Sequence, residues 1–348
     1  MQRIVVSCAS EFMSQAADEL RRAFTPGPVR LDALSGGVLL ASLDRLRDDI
    51  LRTLRRDPPI FIRHIFPVDA ELALTGTRDD LTAIAAAAQP LLATVPAAAR
   101  VAVQARRLSE STDYTPFAVK ETLDPLLSGA GLTPEIREPQ WVVSLLLTDR
   151  RGYVGVSRVE DNLSAWAGGM MRFRAEDNDI ARSKRKLLEA LSVFAVDLSY
   201  VRSAIDLGAA PGGWTAALVE RGLTVTAVDT GLLDERVRSL PQVTFLQQNA
   251  EDVRLRPASF DLLTSDISWE PTHTAEMIVR LAPALRPRGL AIVTVKLMGR
   301  RVWPTIAAVR AILERAFVIR GARHLFHNRR EITLFLERRE TDERGCHD

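Results

Sequence analysis

Lysine is nearly missing from this 348-residue chain: Lys and Arg together number 46, yet only Lys120, Lys184, Lys186 and Lys296 are lysine. That makes each remaining amine a question, because arginine stays protonated in proteins whereas lysine can be made to give up its proton. Cysteine is equally scarce. Cys8 and Cys346 stand at opposite ends, which excludes a disulfide framework or a cysteine metal cluster and fits a reducing compartment. No apolar run is long enough to read as a membrane span. The opening MQRIVVSCAS is too poor in apolar residues for a leader peptide, so the cytoplasm is the default. Excess charge of one sign is lacking too. At a net charge of +2, a polyanionic partner has to be met by local arginine clusters. The five histidines, His64, His273, His324, His327 and His347, show no metal-ligand spacing, and no metal is expected. With 47% apolar and 26% charged residues, the chain is an ordinary globular one, long enough for two or three domains.

The first part reads as strand, helix, strand, strand, helix, strand, the order of a ferredoxin-like α+β unit over residues 1–70. Its first helix is expected to start at Ser10 and to bury Phe12, Ala16, Leu20 and Phe24; its last strand is expected over FIRHIFPVDAELAL, residues 61–74. A second α/β segment follows to residue 160, ending in the strand pair WVVSLLLTD and GYVGVSRV. Periodicity lapses over 161–179, which reads as a linker, and the polar residues 338–348 read as a frayed tail. Between them, from 180 to 337, near-continuous apolar strands alternate with helices. Such strands indicate a mostly parallel sheet covered on both faces, closed by an antiparallel last pair.

Within that segment SAIDLGAAPGGWTAALVERG runs from strand through glycines into helix. Glycines let a backbone pass close to a ligand, and the helix start offers free N–H donors. Asp229 closes the next strand at about the 20-residue distance from Gly208 expected of an acid that holds ribose hydroxyls. A nicotinamide nucleotide and S-adenosylmethionine both suit this layout. The pattern D-x-G-x-x-P-G-G puts Asp206 before the first glycine, where it would repel a pyrophosphate but serve an amino group and a sulfonium. S-adenosylmethionine is the expected cofactor.

The surviving lysines then acquire a use. Asp266 and Lys296 close two of the later strands, Lys186 lies on the helix that opens the segment, and Glu331 starts the last strand. Ligands in open α/β sheets sit beyond the carboxyl ends of the strands, so two acids and two amines can meet there. Methylating a hydroxyl requires a base that can lose a proton, and an amine whose pKa is lowered by burial or a neighbouring cation supplies one.

SAIDLGAAPGGWT, SDISWEP, TVK and RREITLF, preceded by ARSKRKLLEAL, resemble the FtsJ-type (RrmJ-like) 2′-O-ribose RNA methyltransferases with their Lys-Asp-Lys-Glu tetrad. The similarity is greatest to the RlmM-like group, which methylates a cytidine ribose of large-subunit rRNA and carries an RNA-binding, THUMP-containing region ahead of the catalytic domain. The resemblance implies a Rossmann-like methyltransferase domain over 180–337 and a THUMP-like domain over 71–160. It implies Lys186, Asp266, Lys296 and Glu331 as the tetrad, with Lys296 the base. It places Gly208, Pro211, Gly212, Gly213 and Trp214 in the cofactor loop and Asp229 and Asn249 at later cofactor positions, with Asp206 and Asp266 beside them. The chain departs from the family in having Ala181-Arg182 for Ser-Arg, Asn249 for an aspartate, and in Lys184, a rival to Lys186.

Trp269 suits stacking on a base or packing under a loop, and Trp166 and Trp214 read as structural. Arg150, Arg151, Arg172, Arg174, Arg182, Arg185, Arg329 and Arg330 are candidates for RNA phosphates, the cluster near the tetrad above all. A base-directed N-methyltransferase and a non-catalytic RNA-binding factor are the rival readings. The first lacks the two prolines expected at DISW and leaves Lys296 idle; the second leaves the glycine loop and tetrad unexplained.

Overall fold

Phe12, Ala16, Leu20 and Phe24 are all buried, as the helical spacing predicts. They belong to the first of two units, Met1–Met171 and Arg172–Asp348. The computed structural model describes residues 1–108, 110–173, 180–299 and 301–340. The predicted linker positions 174–179 with Arg174, and the tail positions 341–348 with Cys346 and His347, lie outside the described residues.

The first unit runs β1 (Gln2–Cys8), α1 (Met13–Ala23), β2 (Val29–Leu34), β3 (Val38–Leu43), α2 (Arg47–Arg56) and β4 (Ile62–Pro67). The four strands form one sheet in the order β2-β3-β1-β4, with every neighbouring pair antiparallel. Two details differ from expectation. Helix α1 follows a 3-10 turn at Ser10–Phe12, and neither helix start takes a side-chain cap. The stretch 61–74 is two strands: β4 stops at Pro67, and β5 (Ala70–Ala73) joins another sheet. The Val68 amide still donates to the Arg3 carbonyl of β1 at 2.9 Å. The chain changes sheets at Asp69, whose amide donates to the Val154 carbonyl at 2.8 Å and whose carboxylate accepts the Val156 amide at 2.8 Å. The second sheet has the order β5-β9-β8-β6-β7. It is built with α3 (Asp79–Leu92), β6 (Arg100–Arg107), α4 (Pro116–Gly129), β7 (Thr133–Pro134), β8 (Trp141–Leu147) and β9 (Arg151–Arg158). Ile84, Val119, Leu123 and Leu127 from its helices are buried in a core with Val143, Leu145 and Val154.

The second unit opens with α5 (Lys184–Val193), β10 (Ser203–Leu207), α6 (Gly213–Val219), β11 (Thr224–Asp229), α7 (Glu235–Arg238) and β12 (Val243–Gln247). It continues with β13 (Phe260–Ser265), α8 (Pro271–Leu281), β14 (Leu285–Lys296), α9 (Val302–Leu313), β15 (Phe317–Arg323) and β16 (Glu331–Arg338). The sheet order is β12-β11-β10-β13-β14-β16-β15. The first five strands are parallel, and β16 is antiparallel to both its neighbours. Strand order reverses between β10 and β13. In a doubly wound sheet that reversal opens a crevice at the carboxyl ends of the two strands, where ligands bind. Because β16 runs the opposite way, its first residue lies at the same edge as the last residue of β14. Among the described residues, no helix is long and apolar enough to cross a membrane.

Candidate active site

Register alone sets the first pair. Lys296 ends β14 and Glu331 begins β16, and the two are direct partners in the antiparallel ladder. Lys296 Nζ lies 3.2 Å from Glu331 Oε2 and 3.3 Å from Asp266 Oδ1, where Asp266 follows the last residue of β13. Lys186 comes from α5 above: its Nζ is 2.8 Å from Glu331 Oε1, 3.0 Å from Asp266 Oδ2 and 3.3 Å from Oδ1. The four side chains therefore close a ring in which each amine touches both carboxylates. Side-chain exposures of 16%, 15%, 15% and 6% for Lys186, Asp266, Lys296 and Glu331 leave the ring largely desolvated but open on one side. Glu331 is additionally held by the Arg329 amide at 3.3 Å. Asp266 Oδ1 also accepts the Thr294 hydroxyl at 2.7 Å. Sequence reasoning missed Thr294; its signal was its place two residues before Lys296, on the same strand face.

Electrostatics hold Lys186 as an ammonium. Burial pulls the Lys186 pKa down, but Asp266 and Glu331 together outweigh it and hold that ammonium above its ordinary value. Burial likewise raises the Glu331 carboxyl, and the hydrogen bond and charge of Lys186 with the charge of Lys296 outweigh it, so its pKa is lowered. Lys296, with two oxygen contacts longer than 3 Å, is the more loosely held amine.

Lys184 goes elsewhere. Residues i and i+2 of a helix face apart, and Lys184 Nζ pairs with the exposed Glu220 at 2.8 Å. Lys184→Ala is expected to change stability by less than about 1 kcal/mol and to leave methyl-transfer rates within about twofold. Thermal melts and initial rates check both.

The glycine loop joins the crevice to α5. Gly208 follows β10 with φ +73°, and a Cβ there would come within 2.6 Å of Ile267 Cγ1, next to Asp266. Gly212 has φ +117° and precedes α6. A Cβ on Gly213 would meet Ala181 Cβ and Ser183 Oγ at 3.0 Å, so this glycine allows the loop to pack on the start of α5. Trp214 is buried and donates its indole N–H to the Ser183 carbonyl at 2.8 Å, fixing the same junction. Pro211 is exposed on the loop. Asp229 is half-buried; its carboxylate accepts the Ala210 amide at 2.9 Å and the Gly231 amide at 2.7 Å. Asn249 is half-buried with Oδ1 on the Glu251 amide at 3.0 Å. Trp269 is half-buried, its ring edge-on to His273 at 5.2 Å.

Asp206 is placed differently from the ligand-facing position given it above. It is 1% exposed, and its two oxygens accept the hydroxyls of Thr215 at 2.7 Å and Thr264 at 2.8 Å. It ties α6 to β13 from inside the sheet. Burial raises its pKa to about 7 from 3.8, against the pull of both hydroxyls. A carboxyl whose folded pKa is raised binds a proton that the unfolded chain has lost, so stability falls as pH rises between about 3.8 and 7. Asp206→Asn is expected to remove that slope and to make the protein more stable than the parent at pH 8. Denaturant melts at pH 5 and 8 check the crossing.

The residues fit the expected cofactor. Two glycines at positive φ leave the loop low beside the crevice, Asp229 and Asp266 flank it, and the buried Ser265 hydroxyl at the end of β13 has no hydrogen-bond partner among the described residues. A doubly wound sheet, a glycine loop after its first strand and a lysine–carboxylate ring at its switch point define a class, the FtsJ-like methyltransferases, and that family matches residues 180–295. Ribosomal RNA large subunit methyltransferase M of Methylococcus capsulatus is 30% identical over 347 residues, covering 95% of this chain and 94% of the relative. The protein of the same name from Marinobacter nauticus is 28% identical over 366 residues, covering 97% and 99%. This chain belongs to the ribosomal RNA large subunit methyltransferase M family, and it is an S-adenosylmethionine-dependent methyltransferase.

Proposed function

We propose that this enzyme methylates a ribose 2′-hydroxyl in large-subunit ribosomal RNA, with Lys296 as the base. The observation that carries the reading is the closed ring of Lys186, Asp266, Lys296 and Glu331 at the sheet's switch point. S-adenosylmethionine, when bound, supplies an electrophilic methyl and a positive sulfonium. The loop residues Gly208, Pro211, Gly212 and Gly213 would cradle it, and Asp229, Asn249 and Asp266 would hold it from the strand ends; Asp206 and Trp214 support the loop from behind. An amine accepts a proton only in its neutral form, and of the two Lys296 is the one held more loosely by the carboxylates. Lys296 then takes the hydroxyl proton as the oxygen attacks in line. Lys186, held as an ammonium, and the two carboxylates keep that amine in place. Positioning supplies much of the rate in such a displacement.

The rest of the chain serves the substrate in this reading. A ferredoxin-like part (1–70) and a THUMP-like part (71–160) hold RNA, a linker (161–179) leads to the catalytic domain (180–337), and a tail (338–348) follows. Around the ring, Arg182, Arg329 and Arg330 make no side-chain hydrogen bond or ion pair among the described residues, which leaves their guanidinium groups for phosphates. The enzyme works in the cytoplasm. To test the reading, purified protein is given methyl-labelled cofactor and large-subunit rRNA, and the RNA is digested to nucleosides. Label in the ribose supports it; label in a base, or none, contradicts it.

A further inference from the structure

Helix α5 reaches the last strand by a second route, one turn beyond Lys186. Glu189 is 2% exposed. Its Oε1 accepts the Phe326 amide at 2.7 Å; its Oε2 accepts the His327 amide at 2.9 Å and His327 Nδ1 at 2.7 Å. A carboxylate only accepts, so Nδ1 carries the hydrogen in that contact. The segment it grips leads directly into Glu331 and is tied at other points. Asn328 Oδ1 accepts the Leu325 amide at 2.8 Å and the Thr333 hydroxyl at 3.2 Å. His324 Nε2 lies 2.7 Å from the Arg329 carbonyl, and the Leu297 amide donates to the Arg330 carbonyl at 2.7 Å.

We infer that Glu189 is a positioning residue for the ring: by fixing residues 326 and 327 on α5, it sets the distance between Lys186 and Glu331. Apolar packing would hold the helix on the sheet about as well, whereas a buried carboxylate is tolerated only when donors at fixed places satisfy it. Here two of the donors are consecutive backbone amides. The strand that follows can then take up only a narrow range of positions against α5. The inference rests on the proposed role of the ring, but its first test does not depend on catalysis.

Four lysines make that test practical. Lysine labelled with 13C at Cε gives four side-chain signals, assigned by Lys→Arg substitution and titrated one by one. In the parent, Lys186 should titrate above an ordinary lysine. In Glu189→Gln it should move down toward the ordinary value, and in His327→Ala, which keeps both amides, it should move less in the same direction. The kcat of Glu189→Gln should fall about 10- to 100-fold with the cofactor KM nearly unchanged, and Lys186→Met should abolish that further loss. A Lys186 titration unmoved in both variants would overturn the inference, as would losses that multiply in the double variant. Should Glu189→Gln fail to fold, the His327→Ala titration decides. A parent that methylates no ribose sinks the proposed function alone, since the titration still reports on positioning.

Discussion

Lys296→Met is expected to leave the protein folded and able to bind cofactor while slowing single-turnover methyl transfer about 10²- to 10⁴-fold, the usual contribution of a positioned base. Methionine keeps the unbranched four-atom stem of the side chain and removes the terminal nitrogen, and with it the charge and the proton acceptor. The remaining Lys186, Asp266 and Glu331 stay linked, because Lys186, like Lys296, bridges both acids. Lys296→Arg is expected to be about as slow, since a guanidinium cannot deprotonate. Single-turnover rates and calorimetric cofactor titration check both variants. An arginine variant close to parental activity would mean that position 296 supplies charge instead of accepting a proton.

Asp266→Ala should do more damage, because both amines share this carboxylate directly after β13. It accepts from Lys186, Lys296 and Thr294. Its removal leaves two largely buried ammonium groups sharing Glu331, and breaking a buried pair costs about 3–5 kcal/mol. With side chains near 15% exposed, the lower end of that range applies. Asp266→Ala is therefore expected to lower the melting temperature by several degrees and to abolish measurable transfer. Asp266→Asn should recover stability through the Thr294 hydrogen bond but not the rate. Melting curves and rates for the two variants separate fold from chemistry.

Much of this was legible in the sequence, for reasons that differ between residues. Continuous apolar strands such as LAIVTVK mark a buried parallel sheet, and ligands belong at the carboxyl ends of such strands; that was enough to bring Asp266 and Lys296 to one edge. The pairing of Lys296 with Glu331 depends on the register of β16 on β14, which no local pattern encodes. Choosing Lys186 over Lys184 came from a resemblance; the physical reason is that positions two apart on a helix face different neighbours. For Asp206 the motif fixes its place on β10 but not that it is buried with Thr215 and Thr264 on its two oxygens. The stretch 61–74 looked like one strand because its apolar character continues past Pro67, while the switch to another sheet depends on Asp69 bonding to Val154 and Val156, far away in sequence. Glu189 left no trace at all: its partners lie 137 and 138 residues away and two of them are backbone amides.

Mapping ribose methylation in cellular rRNA tests the central claim most directly. Large-subunit rRNA from cells lacking this gene is compared with rRNA from the same cells supplied with the parent or with Lys296→Met. A 2′-O-methyl group blocks alkaline cleavage at its own phosphodiester, so each modified position shows as a gap in the hydrolysis ladder. The account predicts one gap that is lost with the gene, restored by the parent and not restored by Lys296→Met. A ladder identical in all three, or a gap restored equally by the methionine variant, would contradict it.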